Sequence, residues 1–265
     1  MKRILFLIAS IAFLAAGCSP AFIFGTDEAE PRLSPSFEEY VVPPNFVPRT
    51  IIMTALGDSL TQGVGDEEQL GGYVGRLAAD MEEWDGVEDV IIENTAKRGR
   101  RSDQLLKLFE EGEVDAPVAE ADILVMTMGG NDLMKIVKRD LFSLDEQDFY
   151  DELELYEERL QEVFDSIRAL NPTAPLIVIG IYNPFSLLTD EVNEFDEILT
   201  AYNDSVEELA VNDPQACFVP VADLFVGNES LVYHTDFFHP NSNGYDTMTE
   251  RVIERMEECG FHQPE

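Results

Sequence analysis

The fold is decided by the stretch Ile51-Ile52-Met53-Thr54-Ala55-Leu56-Gly57-Asp58-Ser59-Leu60-Thr61-Gln62-Gly63. An apolar run typical of a buried strand ends at Gly57, and a serine follows at the turn. Open α/β folds place reacting groups at the carboxyl end of a strand, just before a helix begins. There Ser59 would lie near free backbone N–H groups and the positive end of the helix dipole. The stretch predicts a strand, a turn and a helix with Ser59 as nucleophile; taken alone, Ser59 could also be a helix N-cap.

Ser59 needs a partner, because a serine hydroxyl is a weak nucleophile until a base takes its proton. The segment His-Thr-Asp-Phe-Phe-His-Pro near the C-terminus begins at His234 and places Asp236 three residues before His239. A carboxylate at that spacing can orient the imidazole and stabilise its charged form. His234 has no acid at the matching position and no following proline. The sequence therefore predicts His239 as the base and Asp236 as the acid that orients it.

Two further sequence motifs follow predicted strands and complete a set of four with the motifs of Ser59 and His239. Gly99 follows the second apolar run, and Gly129-Gly130-Asn131-Asp132 follows the third. With Ser59, Gly99, Asn131 and His239, the chain resembles the SGNH (GDSL-type) ester hydrolases, and most of all their bacterial lipoprotein branch. The resemblance covers roughly residues 50 to 258, with the four blocks in the family's order.

The resemblance implies an oxyanion hole made of the backbone N–H groups of Ser59 and Gly99 and the side-chain amide of Asn131. Three donors around one oxygen suit a tetrahedral acyl intermediate. Each residue also has an ordinary structural interpretation. Asn131 is a common turn residue after two glycines, and Gly99 is suited to a turn that needs positive φ.

Apolar runs alternate with amphipathic helical segments from residue 51 onward, which predicts a parallel sheet covered on both faces. We expect one domain, a three-layer α/β/α sandwich of the flavodoxin-like SGNH hydrolase type. Five strands are predicted at Ile51–Leu56, Val90–Glu93, Ile123–Met128, Leu176–Ile181 and Cys217–Val219. In this architecture Ser59, Gly99 and Asn131 each follow a strand, so they meet at one edge of the sheet, with Asp236 and His239 in the loop before the last helix.

The charge of the chain is strongly one-sided, with 17 Lys and Arg residues against 53 Asp and Glu residues and a formal net charge of −36. Such a surface repels nucleic acid and anionic lipid head groups, so nucleic acid is not an expected partner. Adaptation to a salty or alkaline medium would explain the charge, and a specific cationic partner is the alternative. We expect a monomer that acts on a small-molecule or lipid ester.

The N-terminus predicts export. Residues 1–17 have a basic start and an apolar stretch too short to span a bilayer, as in a signal peptide. Small residues precede Cys18 as in a bacterial lipobox. Cys18 is therefore the predicted lipidation site, and its lipid would attach the protein to the membrane. A plain secretory signal is the alternative. Residues 18–48 are acidic and Pro-rich and predict a tether, and residues 49–265 form the hydrolase domain.

Two cysteines remain, Cys217 and Cys259. An exported protein permits a disulfide between them, and two buried free thiols are the alternative. Neither has the spacing of a zinc site, and we expect no metal and no cofactor.

Four cations lie in the segment Lys97-Arg98-Gly99-Arg100-Arg101, where they could meet an anionic substrate group or neutralise local carboxylates. The acyl pocket is predicted at Tyr182 to Phe185, with Leu187 and Leu188.

The resulting hypothesis is an exported serine esterase or lipase. A deacetylase of O-acetylated polysaccharides with the same machinery is one alternative, and a non-catalytic surface-binding lipoprotein is another.

Overall fold

The computed structural model describes residues 47–139, 145–184, 194–231, 236 and 238–261. All of them lie in one unit of the chain, Pro43–Glu265. The predicted signal peptide 1–17, Cys18 and all but the last two residues of the predicted tether are outside the described residues. No described helix combines the length and apolar character needed to cross a membrane.

Strands and helices alternate, as the apolar runs predict. The strands are β1 (Arg49–Gly57), β2 (Val87–Asn94), β3 (Ile123–Thr127), β4 (Leu176–Ile179) and β5 (Ala216–Val219). The helices are α1 (Ser59–Gln62), α2 (Gly72–Glu82), α3 (Ser102–Glu110), α4 (Asp115–Glu120), α5 (Gly130–Arg139), α6 (Glu146–Leu170), α7 (Glu194–Asn212), α8 (Ala222–Phe225) and α9 (Ser242–Glu258). A short 3₁₀ turn spans Glu229–Leu231.

The five strands form one parallel sheet in the order β2-β1-β3-β4-β5. Side chains alternate along β3, so that Leu124 and Met126 enter one apolar cluster while Ile123 and Val125 enter the other. Buried residues of α3 to α7 complete the first cluster, and those of α2 and α9 complete the second. The predicted three-layer α/β/α sandwich is confirmed.

The strand β2 departs from the prediction of strands covered on both faces. Only Val90 of this strand is buried, and Ile91 and Ile92 are 46% and 38% exposed. The reason is topological, because β2 pairs only with β1 and therefore forms one edge of the sheet.

Asparagine side chains mark the boundaries of two helices. The long helix α6 ends at Leu170, and the side chain of the following Asn171 donates hydrogen bonds to the carbonyls of Val118 and Ala121. The last helix begins after Asn241, whose Oδ1 accepts a hydrogen bond from the N–H of Gly244. The second boundary places Asp236 and His239 in the segment before the last helix, as predicted.

A disulfide joins Cys217 in β5 to Cys259 at the end of α9. Since 42 residues separate the two cysteines, the bridge closes a long loop that includes the segment of Asp236 and His239. In the chain-entropy account, such a loop restricts the unfolded chain substantially.

Candidate active site

The sharp turn after β1 positions Ser59. Gly57 adopts a φ of +113°, and a Cβ there would come within 2.0 Å of the carbonyl oxygen of Thr127 in β3. Only glycine permits this close approach of the two strand ends. Ser59 follows as the first residue of α1 and is buried. Its neighbour Asp58 is the N-cap, so the interpretation of Ser59 as a cap is wrong.

Asp58 fixes this turn to the neighbouring strand. Its Oδ1 accepts hydrogen bonds from the N–H of Leu60 at 3.1 Å and the hydroxyl of Thr127 at 2.7 Å. Burial raises the pKa of the Asp58 carboxyl to about 6, although these hydrogen bonds act in the opposite direction. The carboxylate therefore shapes the loop that carries Ser59.

Ser59, His239 and Asp236 form a hydrogen-bonded series. The Nε2 of His239 lies 2.9 Å from the Oγ of Ser59, and its Nδ1 lies 2.7 Å from Oδ2 of Asp236. Oδ1 of Asp236 accepts the backbone N–H groups of Phe238 and His239, both at 3.1 Å. With the proton on Nδ1, the other ring nitrogen can accept the serine proton. These are the distances required of a nucleophile, a base and an orienting acid.

The ionisation of the pair suits this arrangement. Burial raises the pKa of the Asp236 carboxyl, but the hydrogen bonds from His239 and two backbone N–H groups lower it more. For His239, burial lowers the pKa of the imidazole and outweighs the raising effect of Asp236. The sequence, which shows the carboxylate and not the burial, predicts a raised value. The structure therefore favours a neutral base facing an ionised acid.

The three predicted oxyanion donors lie at the ends of β1, β2 and β3. Within the described part of the chain, the N–H groups of Ser59 and Gly99 have no hydrogen-bond acceptor. Gly99 has a φ of +80°, and the space its Cβ would occupy is open. Both N–H groups are thus available to a ligand.

The side-chain amide of Asn131, in contrast, already makes hydrogen bonds within the protein. Its Nδ2 donates to the carbonyl of Arg100 at 3.1 Å and lies 3.4 Å from Oδ2 of Asp58. To bind an oxyanion, the amide has to share or exchange the longer of these two contacts. Asn131 thus ties the turn of Ser59 to the loop of Gly99, in addition to its predicted role.

Gln62 and Ser102, neither of which was predicted to have a role, hold the two sides of the Gly99 loop in place. Oε1 of Gln62 accepts the N–H of Arg98 at 2.6 Å. Ser102, at the start of α3, donates from its N–H and its hydroxyl to Asp132. Burial raises the pKa of the Asp132 carboxyl to about 6, against the effect of these hydrogen bonds. The positions of Gln62 and Asp132 beside Ser59 and Asn131 were the available signal.

A buried ion pair connects the loop after α1 to the start of α9. Arg76 on α2 binds Asp66 through two nitrogens, at 2.7 and 3.1 Å. Oδ1 of Asp66 also accepts the hydroxyl of Ser242, three residues beyond His239, at 2.9 Å. Burial raises the pKa of Asp66, but the hydrogen bonds from Arg76, Gly72 and Ser242 lower it more, to about 2. This network links the elements that carry the candidate nucleophile and the candidate base.

Replacing Asp66 with Asn should destabilise the fold, because it removes the buried carboxylate that binds two nitrogens of Arg76. The partly exposed Asp246 and Glu68 remain as charge partners of this arginine. Leaving a buried charge unpaired costs about 3–5 kcal/mol of unfolding free energy, and with these two partners retained we expect a loss at or below the lower end of that range. Urea unfolding measures the loss. The matched control is Asp223→Asn, which breaks an exposed pair with Arg251 and should cost at most about 1 kcal/mol. Equal losses in the two variants would contradict the assigned role of Asp66.

The basic cluster of Lys97 to Arg101 is largely engaged within the protein. Arg98 lies 3.8 Å from Oδ2 of Asp236, and Arg101 pairs with Asp103 at 2.9 Å. Arg100 donates to the carbonyl of Thr95 at 2.6 Å. Two of the four cations, Arg98 and Arg101, therefore lie against carboxylates, in agreement with the interpretation that the cluster neutralises local charge.

Some predicted positions lie outside the described residues. These are His234, the rival base, and the pocket residues Phe185, Leu187 and Leu188. Among the residues that are described, no group of three or more His, Cys, Asp or Glu side chains is arranged to hold a metal ion.

The comparisons with known proteins agree with this geometry. Residues 55–247 match the model of the GDSL-like Lipase/Acylhydrolase family. The uncharacterized protein YpmR of Bacillus subtilis (strain 168) is 36% identical over 213 residues, which are 80% of this chain and 83% of that protein. The spore germination lipase LipC of Bacillus licheniformis is 30% identical over 207 residues, 77% of this chain and 95% of that protein.

Among solved structures, the lipase Lip_vut3 from a goat rumen metagenome has a similar fold. It superposes with a TM-score of 0.69 at 27% identity, and the match covers 80% of this chain and 98% of that lipase. The family match spans most of the chain and contains all four sequence blocks. The chain therefore belongs to the GDSL-like lipase/acylhydrolase family and is a carboxylic ester hydrolase.

Proposed function

We propose that this protein cleaves carboxylic esters through an acyl-enzyme on Ser59. The observation that carries the proposal is the series from Ser59 Oγ through the two ring nitrogens of His239 to Asp236, with distances of 2.9 and 2.7 Å. A surface-binding protein without catalysis has no need of this series. The buried imidazole of His239 and the carboxylate of Asp236 that orients it therefore favour a catalytic function over ligand binding alone.

The reaction proceeds in two halves. His239 accepts the hydroxyl proton as Ser59 Oγ attacks the ester carbonyl carbon, and the tetrahedral oxyanion forms near the N–H groups of Ser59 and Gly99. The intermediate collapses, the bond to the leaving alcohol breaks, and His239 returns its proton to that alcohol. Water, deprotonated by His239, then attacks the acyl group and releases the acid and free Ser59. Asp236 holds the tautomer throughout.

A panel of substrates tests the proposal. We expect the purified protein to hydrolyse p-nitrophenyl esters without any added metal, and the same rate should persist with a chelator present. Acetylated glycans and phospholipids in parallel identify the leaving group. A protein that hydrolyses none of these esters under any condition, while folded by circular dichroism, would contradict the proposal.

Activity should persist below the ordinary pKa of imidazole. His239 has to be neutral to accept the serine proton, and burial lowers the pKa of its ring despite the neighbouring Asp236. As the pH falls, kcat/KM should reach half its maximum below about 6.5, the value for a free imidazole. The measurement is the pH profile of kcat/KM.

Circular dichroism over the same range is the control for this profile. It is needed because burial raises the pKa of Asp58 to about 6, so this carboxyl titrates in the same range and changes its hydrogen bonds to the turn of Ser59. A midpoint above about 7, with the fold intact, would mean that the Asp236 carboxylate outweighs burial.

We also propose that the protein is exported and anchored by lipid on Cys18. The support is the signal-like stretch of residues 1–17 and the small residues before Cys18. A net charge of −36 gives the protein no electrostatic attraction to an anionic bilayer, so attachment requires the acyl chains. Stable anchoring needs more than one chain, as a bacterial lipoprotein has.

Replacement of Cys18 tests the anchor. The wild-type protein should fractionate with membranes and partition into detergent, while Cys18→Ala should remain uncleaved or appear in the medium. A wild-type protein that is wholly soluble, with its N-terminus beyond residue 18, would contradict the anchor and leave secretion alone.

A further inference from the structure

A small cavity lies directly against the candidate nucleophile. Its volume is about 20 Å³, and it extends from Ser59 to Asn131. The remaining wall is formed mainly by the side chains of Leu60, Ile181, Tyr182, Pro184 and Phe238. About 10–15 Å³ of such space holds one water-sized group. The cavity therefore has room for one or two non-hydrogen atoms beside the serine hydroxyl.

The wall of this cavity is held in place by the surrounding chain. The backbone of Ile181 is bound on both sides by the amide of Asn203, with two hydrogen bonds of 2.9 Å. Tyr182 stacks on Phe225 with 3.9 Å between ring centroids, and its hydroxyl donates to the carbonyl of Phe238 at 2.5 Å. A ligand that displaced the backbone of Ile181 or the ring of Tyr182 would have to break these contacts.

The side of the cavity towards the base is fixed as well. The N–H of Phe238 donates to Asp236, and its ring meets the ring of His239 edge-on, with 5.0 Å between centroids. Leu60, on the nucleophile side, is 7% exposed. Movement of Phe238 would disturb the base itself.

We propose that the cavity binds the acyl group and that the protein is selective for esters of very short acids, acetate above all. The inference rests on the proposed function, since it requires Ser59 as the nucleophile. The oxygen of the acetyl carbonyl faces the N–H donors, and its methyl group enters the cavity. Ser59 Oγ bonds to the acetyl carbon as the bond to the alcohol oxygen breaks, and water later releases acetate. The leaving alcohol lies outside the cavity and is not restricted by it.

The test is a chain-length series of p-nitrophenyl esters from acetate to dodecanoate. One methylene too many in an apolar pocket costs about 10–200-fold in kcat/KM. We expect the wild-type protein to prefer acetate over butyrate by at least about tenfold. A wild-type preference for octanoate or dodecanoate would overturn the inference.

Variants locate the selectivity in the cavity. Ile181→Ala should raise the ratio of butyrate to acetate turnover by about tenfold or more, because it removes three carbons from the wall. Ile181→Val, which removes one carbon and disturbs the fold less, should move the ratio in the same direction. The control is Ile167→Ala, a change at a fully buried position of α6 that does not contact the cavity. A similar change of the ratio in Ile181→Ala and Ile167→Ala would overturn the assignment.

Labelling with phosphonates separates this inference from the proposed function. If a methylphosphonate ester labels Ser59 faster than its octylphosphonate counterpart, the result supports both the acyl inference and the proposed function. If the octyl reagent reacts faster at Ser59, the nucleophile is correct and the acyl inference fails. If neither reagent labels Ser59, the proposed function fails.

Discussion

Replacing Ser59 with Ala should abolish ester hydrolysis and leave the fold intact. The hydroxyl is the only group of this side chain that can bond to the acyl carbon, and it lies 2.9 Å from the base. Loss of the nucleophile from a serine triad costs on the order of 10⁶ in kcat. The measurement is the rate of p-nitrophenyl acetate hydrolysis at saturating substrate. The free energy of unfolding should change by about 1 kcal/mol, the net worth of one hydrogen bond.

The matched control is Ser242→Ala, a second buried serine near the base whose hydroxyl binds Asp66. We expect this variant to lose some stability while it retains most of its turnover. A Ser59→Ala protein that hydrolyses esters at the wild-type rate would refute the assignment of the nucleophile. So would an equal loss of turnover in the two folded variants.

Replacing His239 with Ala should be nearly as severe. No other described side chain hydrogen-bonds to the Ser59 hydroxyl, and Asp236 would lose the ring that it orients. In serine triads, loss of the base costs about as much as loss of the nucleophile. The readout is kcat for the same ester, with KM less affected because the imidazole acts mainly in the transition state.

His234→Ala is the comparison for this variant. The two histidines share one segment of sequence, and only His239 has an acid three residues before it. We expect His234→Ala to keep most of the activity. If the two variants lost activity equally, the base would be misassigned.

Much of the fold could be predicted because its signals are local. Apolar runs of the right length predicted all five strands, and the amphipathic segments between them predicted helices. The exposure of Ile91 and Ile92 could not be predicted. It depends on which strand lies at the edge, and an edge strand with apolar residues resembles a central one in sequence.

The candidate site followed from a few residues with strong chemical constraints. Ser59, Asp236 and His239 lie within hydrogen-bonding distance, as their types and spacing predict. The network of Asp66, Arg76 and Ser242 was missed, since Ser242 is far from the other two in sequence and each is an ordinary surface residue by type. The direction of the His239 pKa was also missed, because burial is a property of the packed structure.

Covalent labelling tests the central claim most directly. A fluorophosphonate or a p-nitrophenyl phosphonate should inactivate the protein with a stoichiometry of about one, because an activated serine attacks phosphorus as it attacks an ester carbonyl. Peptide mass spectrometry should place the adduct on the peptide that contains Ser59, and Ser59→Ala should take up none. An adduct on another residue of an inactivated protein, or full activity after complete labelling of Ser59, would contradict the account.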